Sequence, residues 1–201
     1  YNIALLQLLT TKISPVFLSI SYTLFCISIL FLPPFLWRLL TIVNSHSFME
    51  RVIKNINVRA PDFHILTNMI RTIVTREDYD TLDFTIETIT KRSKCVIQRY
   101  SSPLASDMVG TFCKELAKFL STYGVLVNEQ VMDKAREDLL STLLLAVTDL
   151  ASTAIRARLY VVNIFLHVIT DIGLLAIEKS SEKILEQTPK AVELIAVNAL
   201  R

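Results

Sequence analysis

A chain of 201 residues that is 52% hydrophobic and 20% charged, with mean hydropathy +0.46, is too apolar for disorder and more apolar than most soluble domains. Its three glycines supply neither the positive-φ positions of a many-hairpin sheet nor a phosphate-cradling loop, which all but excludes all-β, Rossmann and P-loop architectures. The net charge of +2 is unevenly held: residues 1–60 carry Lys12, Arg38, Arg51, Lys54 and Arg59 against Glu50 alone, and the rest is slightly acidic, which argues against nucleic acid as a partner.

In chain order, the first feature is an uncharged run from Ile13 to Trp37. Its core, Ile13–Leu32, has the roughly 20 apolar residues that a helix needs to cross a bilayer. A secretory leader would be shorter and end in small residues; this run ends in Pro33-Pro34, which should stop or kink a helix. Trp37 and Arg38 read as a membrane interface, with Arg51 and Lys54 following, and the positive-inside rule puts residues 38–201 on the cytoplasmic side. Ser19, Tyr22 and Cys26 share one region of the spanning helix and are candidates for contact with another helix. The expected organisation is a membrane segment over 1–43, a basic juxtamembrane linker or helix over 44–60, and a helical domain over 61–201. The opening residue is Tyr1 rather than a methionine, as expected of a fragment or a processed product.

Beyond the linker, apolar residues recur at spacings of three and four. Phe63, Leu66, Ile70 and Ile73 form one set, and Leu104, Met108, Phe112, Leu116 and Phe119 another. This is the period of amphipathic helices. Start signals include Asp78, Asn128, and hydroxyl–proline pairs at Ser102-Pro103 and Thr188-Pro189. The pattern predicts helices near 45–57, 61–75, 77–98, 103–122, 128–150, 152–178 and 189–200. Short loops between them predict antiparallel neighbours. The expected fold is therefore all-α: one transmembrane helix followed by a cytoplasmic antiparallel helical bundle or short α-solenoid.

Residues 139–177 are apolar nearly all round, but Asp149, Arg156, Arg158 and Asp171 cut them into stretches too short to span. A helix buried in a bundle fits better. The charges are then expected to find internal Asp–Arg partners, or to meet solvent, a partner protein or a second subunit. The segment Asp149–Ile155 also echoes Asp171–Ile177, with Asp, Ala and Ile at matching places. With the consecutive helix pairs, this resembles the α-solenoid class, HEAT-like helical repeats in particular. That resemblance implies a stacked helical surface for binding proteins and assigns no catalytic residue.

Candidate chemistry is sparse. Asp80, Asp83 and Glu87 lie on one helical face, as a solvated acidic start of a helix would place them. The basic run Lys91, Arg92, Lys94 and Arg99 suits the other end of that helix, and a contact with anionic headgroups is its functional alternative. His167, among apolar neighbours, reads as a core histidine. Cys26, Cys95 and Cys113 have no metal-like spacing and read as reduced, buried thiols. No catalytic, cofactor-binding or metal-ligating residue is expected, and no cofactor. The expected function is a membrane-anchored, non-catalytic interaction or scaffold module, with membrane lipid and proteins, including copies of itself, as partners. The alternative is the cytoplasmic regulatory part of a transporter, channel or sensor with further membrane helices upstream.

Overall fold

A computed structural model describes residues 19, 20, 22–24, 27, 45–100, 106–157 and 159–200. The chain divides into two compact units between Phe48 and Met49. In the first unit, the described residues between Ser19 and Ile27 are helical and exposed. There the Thr23 hydroxyl donates to the Ser19 carbonyl at 2.7 Å, the back-bond that lets a hydroxyl sit on an apolar helix. Most of the expected spanning segment, with Cys26, Trp37 and Arg38, lies outside the described residues.

From Ser45 onward the described helices are α1 (Ser45–Lys54), α2 (His64–Thr75), α3 (Tyr79–Arg99), α4 (Ser106–Gln130), α5 (Asp133–Arg156), α6 (Val162–Glu178) and α7 (Glu182–Ala199). No strand occurs among the described residues; the fold is all-α. Helices α3, α5 and α7 form one layer and α2, α4 and α6 the other, while α2 packs on α3, α4 on α5 and α6 on α7 across the layers. Neighbours within a layer run parallel. The bonds Ser141–Gln187 and Ser152–Asn198 join α5 to α7 at the same sequence offset of 46, and Ser121–Asp171 and Asn128–Glu178 join α4 to α6 at 50.

Local chemistry sets the turns. The Asp78 carboxylate caps α3, accepting from the Thr81 backbone N–H at 3.1 Å and its hydroxyl at 2.7 Å. Before it, Glu77 takes a left-handed φ of 57°, and Asp78 N–H reaches back to the Ile73 carbonyl at 3.3 Å. The α6–α7 turn repeats this: Ser180 has φ 55°, and Ser181 N–H donates to the Ala176 carbonyl at 2.9 Å. Both close a helix in the manner usually reserved for glycine. Between the layers lies an apolar core that includes Leu66, Ile86, Leu116, Leu143 and Phe165. Phe63 anchors α2 to α4, its ring centroid 5.9 Å from Phe112 and 5.4 Å from Phe119.

Helix α5 is the only described helix long and apolar enough to cross a membrane, and 72% of its most apolar stretch is buried inside the bundle. Four expected boundaries change. The expected start at Asn128 falls inside α4, where Asn128 is buried, and α5 starts instead at Asp133. Helix α4 runs through Gly124 to Gln130, because Gly124 lies where a Cβ would press within 3.3 Å of Leu143; the glycine serves close packing, not a break. The expected helix over 152–178 is instead the end of α5, a loop and α6. Helix α7 starts at Glu182 and carries Pro189 inside it, where the expected start lay. Two side-chain placements also change. His167 is exposed, on the outward side of α6, and Cys95 is exposed on α3.

Candidate docking surface

Two surface features stand out on the helical body. The first is a groove of about 670 Å³ between α3 and α5, lined by Asp83, Glu87, Lys91, Lys94, Leu145 and Asp149 among others. Lys94 Nζ and Asp149 Oδ2 pair across it at 2.7 Å, with side chains 35% and 46% exposed. Lys94 and Asp149 thus tie the layer together at its surface, where an ion pair contributes modestly. The Thr90 and Ser93 hydroxyls on this helix are buried without a protein hydrogen-bond partner. So is the Tyr123 hydroxyl of α4, whose pKa is raised by burial and secondarily by the charge of Asp83. Such groups are held neutral and are poor proton-transfer groups. Burial also pushes the Cys113 thiol up to about 12, which leaves it without thiolate character at neutral pH.

The second feature is the open end of the layers. Helices α6 and α7 form an antiparallel hairpin whose register is fixed where the Thr188 side chain lies against Gly173; a Cβ at Gly173 would come within 3.2 Å of the Thr188 methyl. On α7, Ile184, Ala191 and Ile195 turn inward. Leu185 and Val192, seven residues apart, stay exposed on the side toward α6, and Leu194, Val197 and Leu200 are exposed on other sides of the helix. On α6, Leu174 and Ile177 are exposed as well. In antiparallel helices facing at Gly173 and Thr188, Leu174, Ile177, Leu185 and Val192 lie on the same flank of the hairpin. The flank points away from the neighbours α4 and α5.

The sequence-expected contact residues separate. Asp149 faces α3 through Lys94. Asp171 faces α4, accepting from the Ser121 hydroxyl at 2.9 Å. Arg156 is exposed at the end of α5, and Arg158 lies outside the described residues. The expected internal Asp–Arg partnership is replaced, for Asp149, by a lysine from a helix 55 residues away in sequence, because parallel layering brings α3 beside α5. Ser19 and Tyr22 are exposed in the first unit. Arg51 is exposed, and Lys54 pairs with Glu50 at 2.6 Å, which lowers the Glu50 pKa through that hydrogen bond and charge. Among the described residues no three His, Cys, Asp or Glu side chains converge to hold a metal. The exposed row on α6 and α7 was not singled out from sequence. Its signal is that apolar residues of α7 cover more of the helix than one buried face accounts for.

No protein-family model, curated protein or solved structure matches this chain.

Proposed function

We propose that this chain is a membrane-anchored, non-catalytic docking module, built as a short α-solenoid. The observation that carries the reading is the exposed row Leu174, Ile177, Leu185 and Val192 at the open end of a two-layer stack. Stacked helix pairs bind partners through such continuous surfaces, and exposed apolar side chains grouped on one flank are the kind of surface that serves interaction. The uncharged run Ile13–Trp37 serves as the anchor, and the positive residues after it hold the helical body on the cytoplasmic side.

The test has two arms. The full chain should stay with membranes at high pH, while a chain lacking residues 1–43 should not; equal extraction of both would remove the anchor. A photo-crosslinking residue placed at Val192 in native membranes should capture a protein adduct that one at Arg92 does not. Lipid-only adducts, or equal capture from both positions, would contradict the docking role.

A further inference from the structure

We infer that the occupant of the α6–α7 flank is an amphipathic helix whose apolar stripe is bordered by lysine or arginine. The inference rests on the docking reading above and adds the partner's chemistry. It follows from the borders of the exposed row. On α7, Glu182, Glu186 and Glu193 form the adjoining row and all three are exposed. On α6, Asp171 and Glu178, seven residues apart, follow Leu174 around the helix on the side toward α4; each accepts a hydrogen bond from α4, from Ser121 and Asn128, and stays exposed. The lysines of α7 are elsewhere: Lys183 is turned toward α5, where it pairs with Asp138 at 2.6 Å, and Lys190 lies beyond the glutamate row from Val192 by helical spacing. The apolar strip is thus flanked by carboxylates on both helices.

That arrangement selects among occupants. A second copy of the chain, docked flank to flank, would set carboxylates against carboxylates, and like charges brought together oppose association. Anionic headgroups would meet the same repulsion. A helix with an apolar stripe at spacings of three and four would cover Leu174, Ile177, Leu185 and Val192, and basic residues beside that stripe would meet the carboxylates.

Two synthetic helical peptides with the same leucine stripe test this, one flanked by lysines and one by glutamates. Binding to the full chain in uncharged detergent is read by fluorescence anisotropy. The lysine peptide should bind about tenfold or more tighter at low salt, with the gap closing near 0.5 M salt as exposed charges are screened. The triple variant Glu182→Gln/Glu186→Gln/Glu193→Gln should close most of the gap without loss of the leucine contribution. Val192→Glu should abolish binding of both peptides. Equal affinity of the two peptides, with both lost in Val192→Glu, would overturn the charge inference and leave the docking surface standing. Binding unaffected by Val192→Glu, or no binding by either peptide, would overturn the docking reading itself. A concentration-dependent dimer of the full chain that Val192→Glu dissolves would replace the basic helix with a second copy and also overturn the inference.

Discussion

Helices α5 and α7 are neighbours in one layer, and both carry more apolar residues than a single buried face needs. Their outcomes differ because of what flanks them. Helix α5 has α3 on one side, α7 on the other, and α4 and α6 across the layer; Leu143, Val147 and Leu150 are fully buried as a result. Among the described helices, α7 packs mainly on α5 and α6, and Leu185 and Val192 remain 37% and 44% exposed. Apart from Leu145, which is exposed in the groove beside α3, the large apolar side chains of α5 are covered, whereas α7 buries Ile184 and Ile195 and leaves Leu185 and Val192 at the surface. Hydropathy alone, which singles out α5 as long and apolar enough to span a membrane, does not distinguish a helix surrounded by lipid from one surrounded by protein.

The comparison breaks first under truncation. Leu143→Ala in α5 should cost about 2–5 kcal/mol, as buried leucines do, whereas Val192→Ala in α7 should stay within about 0.5 kcal/mol. Denaturant unfolding of the two variants reads the difference; similar losses would make α7 a core helix. The next effect is at the seam. Gly173→Leu places a side chain where Thr188 lies against α6 and should cost about 1–3 kcal/mol by overpacking. It should also raise hydrogen exchange in α7 while leaving α3 protected.

Smaller effects sharpen the picture at the start of α7. Ser180 sits at φ 55°, and Ser180→Gly should stabilise by about 1 kcal/mol, since glycine adopts that conformation without its steric cost. A higher Tm checks this. The smallest effect is at the α5–α7 surface. Lys183 holds the Asp138 carboxyl below its ordinary range by hydrogen bonding and charge. A depressed carboxylate pKa stabilises the fold at pH values above the unfolded pKa of about 4, and that contribution disappears as pH falls through the folded value. Both side chains are well exposed, so Asp138→Asn should cost under about 1 kcal/mol at pH 7. It should cost nothing near pH 2. A gap between the two proteins that persists in acid would contradict the pairing.

The all-helical class was legible because the spacings around Phe63, Leu66, Ile70 and Ile73 admit only a helical period. The Asp78 start was legible as well, since a capping carboxylate is a local signal. What escaped was tertiary. Gly124 and Pro189 look like breaks in a sequence, yet Gly124 is where the Leu143 side chain of α5 and the Leu175 side chain of α6 lie against α4, and Pro189 sits exposed within a helix held on its other face by Ile184, Ala191 and Ile195. The loop at 157–161, by contrast, contains neither glycine nor proline, so nothing local announces it. The seven-residue echo of Asp149–Ile155 in Asp171–Ile177 pairs the ends of two successive helices in different layers. The geometric spacing is longer: bonds between parallel neighbours span 44 to 55 residues. Lys94 could not be named as the partner of Asp149 for the same reason. Which flank of α7 stays uncovered depends on helix order in the layers, which periodicity does not encode.

The central claim is that the outer row of α7 serves binding and the corresponding rows of α5 serve folding. Thermal unfolding of the full chain and of Leu185→Ser/Val192→Ser, each with and without the lysine-flanked peptide at about one hundred times its Kd, tests it most directly. Without peptide the two proteins should melt within about two degrees of each other, as expected when surface positions change. With peptide the unaltered chain should gain about 2.7 kcal/mol by mass action, and the double variant should gain nothing. A double variant that melts far lower on its own, or that is stabilised by the peptide as much as the unaltered chain, would contradict the claim.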